Sequence, residues 1–135
     1  MSMLQQLSEA EILQLQKCNS AVAEVIHIFT AKVPEQNRTV LTMKLFASFQ
    51  LAILTSLGIR IDQHKLEEQL KNDPEAIPEL SYLFTEVSQA KTAAEILQHM
   101  SRTIAKKLYD IVETSTHILT DTEQDTLRIL AQQLD

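Results

Sequence analysis

Three acid–histidine pairs stand at helical spacing in this 135-residue chain, and each is a candidate for metal or proton-transfer chemistry. Glu24 and His27 reproduce the Glu-x-x-His spacing of di-iron bundles, which sets a carboxylate and an imidazole side by side on one helix. Such a centre needs a second copy of the motif plus two more inward carboxylates, and the chain has no second copy. Glu95 with His99 and Glu113 with His117 are four apart, yet the apolar register around them turns both pairs outward. No metal centre is expected. Cys18, the one cysteine, sits beside Asn19 with no histidine near it in sequence, so it reads as a small apolar side chain and not as a nucleophile. No serine stands in a strained nucleophile elbow. With a single glycine, Gly58, the chain lacks the material for phosphate-cradling loops, so Rossmann and P-loop functions are excluded. These absences predict a protein without catalytic residues or cofactor, and not an enzyme.

Charge narrows the partners further. Eighteen acidic against twelve basic residues give a formal charge of −6. Lys91, Arg102, Lys106 and Lys107 nevertheless cluster along one predicted helix, a surface that can meet phosphate or an acidic partner. Asp110 and Glu113 flank them, as they would on an ordinary solvated face. The short helix predicted after Gly58 superficially suggests a helix-turn-helix, but its stretch Asp62-Gln63-His64-Lys65-Leu66-Glu67-Glu68 carries more acid than base and would be repelled by DNA. A nucleic-acid-associated regulator using the Lys91 to Lys107 face is retained as the alternative function. A ligand-sensing bundle with an apolar cavity beside Phe46 and Phe49 is the second.

The elements that must position these residues are helical throughout. Ser8 and Glu11 form a capping box that starts a first helix. Ile12, Leu15, Asn19, Val22, Ile26, Phe29 and Val33 then predict its buried stripe up to Pro34. Asn37 or Thr39 is expected to cap a second helix over residues 40–57, ending at Gly58 in a left-handed cap. That helix is apolar on nearly all sides, and Lys44 and Gln50 interrupt it, which favours a central helix wrapped by the others over a membrane span. Asp62 begins a small third helix, and a long one is expected over about residues 79–119. Thr92 and Glu95 offer an alternative start that would break it near Ala90. Thr120 and Glu123 cap a terminal helix. The prediction is an all-α, single-domain bundle of five or six helices over residues 1–135.

The long helix carries a seam of threes and fours through Leu97, Ser101, Ile104, Leu108 and Ile111, widened by Ile96, Met100, Ala105, Tyr109 and Val112. An apolar surface this wide needs cover on more than one side. Ala90, Ala94, Leu97, Met100, Ile104, Leu108 and Ile111 are therefore the expected partner interface, with two-fold self-pairing and complete cover by the chain's own helices as the competing readings. Lys91, Arg102, Lys106 and Lys107 would set partner preference. The expected function is a small protein-binding regulator, adaptor or chaperone, most simply a homodimer without metal, membrane or nucleic acid. The first ten residues lack a basic start and a long apolar run, which predicts a cytoplasmic location.

Overall fold

The computed structural model describes residues 7–58 and 92–135, and these residues form four α-helices and no strand. They are α1 (Glu9–Thr30), α2 (Glu35–Ser56), α3 (Ala93–Thr114) and α4 (Asp121–Leu134). The all-α class therefore stands, but the expectation of five or six helices is corrected to four among the described residues. The small helix expected from Asp62 lies outside them, as does the stretch expected to run from residue 79 to 91.

Local chemistry explains where the helices begin and end. The Ser8 hydroxyl accepts the Glu11 amide at 3.2 Å, and Glu11 accepts the Ser8 amide at 3.0 Å, closing the predicted box. Thr120 and Glu123 repeat it at the start of α4. The predicted helix over residues 79–119 does not run unbroken: Thr92 caps α3 by accepting the Glu95 amide at 3.2 Å, and α3 stops at Thr114. The stop falls in the run Thr114-Ser115-Thr116, whose hydroxyls compete for backbone groups. Thr114 Oγ1 donates to the Asp110 carbonyl, and the Leu119 amide turns back to the Ser115 carbonyl. Buried Leu119 then pins the turn before the Thr120 cap. Helix α2 starts earlier than expected, because Pro34 itself takes the N-cap position, where its missing N–H costs nothing. Gly58 closes α2 with φ +83°, as its freedom from a Cβ predicts.

The four helices alternate in direction. Gln14 on α1 meets Ser101 on α3 near the starts of both helices, so these two run parallel. Lys32 at the end of α1 meets Glu123 at the start of α4, so that pair is antiparallel. A four-residue connection reverses the chain between α1 and α2. Helices α1 and α3 each pack on the other three, and α2 and α4 flank that central pair. Phe46, Phe49, Ile53, Leu54, Ile96, Met100, Ile104, Leu108 and Leu127 are the largest fully buried side chains.

Two expectations about burial are overturned. Among the described residues helix α2 is a flank and not the wrapped centre: it is long and apolar enough to cross a membrane by length and composition, and only 33% of its most apolar window is buried. The wrapped helix is α3, which buries eight residues against three neighbours. On α1 the buried face is Leu15, Cys18, Ala21, Val22, Val25 and Ile28, rotated from the predicted stripe so that Ile12 is 42% exposed. Cys18 and Ala21 are small, and small side chains let two helices approach where large ones would hold them apart.

The Lys32–Glu123 bridge, at 2.8 Å, carries a pH prediction. Hydrogen bonds from Lys32 and from the Thr120 amide hold the Glu123 carboxyl below its ordinary range. A carboxyl depressed on folding stabilises the fold above its unfolded value, about 4.3, and that stabilisation is lost as pH falls through the folded value. Thermal melts should therefore show Glu123→Gln less stable than the parent at neutral pH and nearly equal to it in acid; a gap of the same size at both would contradict the bridge.

Candidate interaction surfaces

Helix α3 presents its predicted interface residues mostly to the inside of the chain. Met100, Ile104 and Leu108 are 0% exposed and Leu97 is 4% exposed, covered by the neighbouring helices. Ile111 is half-buried against the same core. Ala94 is exposed, and Ala90 and Lys91 lie outside the described residues. Self-pairing through this face would require four core side chains to leave the core.

The basic residues separate into two places. Arg102 lines a cleft of about 440 Å³ where the starts of α1 and α3 meet the end of α4, together with Glu11, Gln14, Gln98 and Asp135. Its floor is Ser101, 5% exposed, whose hydroxyl accepts from Gln14 Nε2 at 2.6 Å and lies 3.5 Å from Cys18 Sγ. Chemically this triplet is a link between α1 and α3 and not a nucleophile with its base. Neither the Gln14 amide nor the Cys18 thiol takes a proton from a serine, and burial raises the Cys18 pKa further, outweighing the opposing hydrogen bond from Ser101. Sequence reading singled out Ser101 only as a seam position and missed Gln14, whose partner is 87 residues away.

Lys106 and Lys107 line the second place, an open groove of about 550 Å³ between α2 and α3. Ser48, Leu51, Ala52 and Thr55 form its α2 wall, and Thr103 and Asp110 complete the α3 side. Lys106 is exposed. Lys107 is half-buried with its ammonium 5.3 Å from the centre of the Phe49 ring, close enough for a cation–π contact. Burial lowers the Lys107 pKa, and the nearby Asp110 charge opposes the shift.

The remaining candidates converge on nothing. Among the described residues no three histidine, cysteine or acidic side chains come together as a metal site. His27, Glu95, Glu113 and His117 are exposed, and Glu95 is engaged with Thr92. Phe46 and Phe49, around which a ligand cavity was conceivable, are 1% and 0% exposed in the packed core. Asn19 is half-buried and makes an interaction of its own. The described residues form an all-α bundle that carries these two depressions on its surface. No protein-family model, no curated protein and no solved structure matches the chain.

Proposed function

We propose that the protein is a non-enzymatic interaction module that receives a protein partner on the outward side of α2 and in the groove beside it. One observation carries this reading: α2 is apolar around much of its circumference, but its buried side chains, from Phe46 to Leu54, all lie on the side packed against the described helices. Its outward row holds Leu41, Leu45 and Ala52, all partly exposed, with Val40 49% exposed at the start. Apolar side chains left partly in water gain free energy when a partner covers them, at roughly 25 cal/mol per Å² removed from water. Lys44 stands exposed within the row, which suits a protein partner in water better than the interior of a bilayer.

A photo-crosslinking residue placed at Leu45 should join the chain to a discrete second protein in the cells that make it. The same residue at Ile129, 53% exposed on α4, should yield little. Equal yields from the two positions, or none from either, would contradict the assignment of α2 as the docking face.

A further inference from the structure

We infer that the segment received in the α2–α3 groove is acidic, its carboxylates meeting Lys106 and Lys107 while its apolar side chains cover Leu51 and Ala52. This rests on the docking role proposed for α2 and adds the chemistry of the partner. On a chain of formal charge −6 the lining of this groove is locally positive: two lysines face a single carboxylate, Asp110, among the described residues, and Lys44 is exposed elsewhere on α2. Neither Lys106 nor Lys107 forms an ion pair with a described residue, and the hydroxyls of Ser48 and Thr103 make no hydrogen bond there either. The lining is thus rich in unspent donors, and the natural complement is a set of acceptors with negative charge. Lys107 is already half stripped of water against Phe49, so a carboxylate brought against it restores lost solvation at little further cost. Arg102 faces the other cleft and takes no part.

Two synthetic amphipathic helices with the same leucine and alanine face test this, one carrying glutamate and the other lysine at its polar positions. Each is labelled and titrated with the full chain by fluorescence anisotropy. The glutamate peptide is expected to bind, and to weaken as salt rises. Lys106→Glu, a change at an exposed position, should weaken it about tenfold and improve binding of the lysine peptide. Equal binding of both peptides by the parent would overturn the acidic partner while leaving docking on α2 intact. Binding of neither would overturn both. A DNA duplex bound in preference to the glutamate peptide, and lost with Lys106→Glu, would replace the acidic protein segment with nucleic acid.

Discussion

Ile104→Asp should unfold the protein. The side chain is 0% exposed on the helix that contacts all three others, so the substitution removes buried apolar volume and leaves a carboxylate without a partner. Truncating a buried isoleucine costs about 2–5 kcal/mol, and an unpaired buried charge adds several more. A domain of this size has about 5–15 kcal/mol in total. Far-ultraviolet circular dichroism at neutral pH should show the helical signal and the cooperative melt lost together. The sequence reading of Ile104 as an interface residue makes a different forecast, a folded chain that has merely lost its partner. A variant that keeps its helical signal and melts cooperatively would therefore return Ile104 to an interface.

Gln50→Leu should act in the opposite direction. Gln50 is 0% exposed within α2, and neither its Nε2 nor its Oε1 has a hydrogen-bond partner. A buried amide in that position bears its full desolvation penalty, about 1–3 kcal/mol, and leucine of similar size removes that penalty while keeping the volume filled. The melting midpoint should rise by several degrees. Gln50→Glu should lower it, because a carboxylate is harder to strip of water than an amide. A destabilised leucine variant would mean that the amide finds a partner in solution and that α2 packs differently from the arrangement described.

Much of the fold could be read from residues a few positions apart. Ser8 with Glu11, Thr92 with Glu95 and Thr120 with Glu123 announce helix starts because a cap is a local bond between a short polar side chain and a nearby amide. Gly58 announces an end for an equally local reason. Burial was harder to read because it depends on other helices. The average apolarity of α2 suggested a centre, yet a helix apolar on every side only states that it can be covered, not that the chain has enough partners to cover it. On α1 the large side chains suggested a stripe, whereas Cys18 and Ala21 mark the close packing. The seam of α3 was legible as a wide buried face; that its cover comes from the chain itself was not, since a seam looks the same whether the neighbouring helix belongs to one molecule or two.

The groove followed the same rule. Lys106 and Lys107 were visible in sequence because they are adjacent, but Ser48 and Leu51 join them from another helix more than fifty residues away. Arg102 seemed to belong with them, and does not, because it lies one turn earlier on the edge of α3 that turns toward α1 and α4. Caps and basic clusters are thus written locally, while pockets are composed across the bundle.

That the core is complete within one chain, leaving the outward side of α2 for a partner, is tested most directly by the denaturant midpoint measured over a hundredfold range of protein concentration. A chain that buries Leu97, Met100, Ile104 and Leu108 by itself should unfold at a midpoint independent of concentration. A midpoint that climbs with concentration would show a second copy completing the core, and would contradict the structure described here.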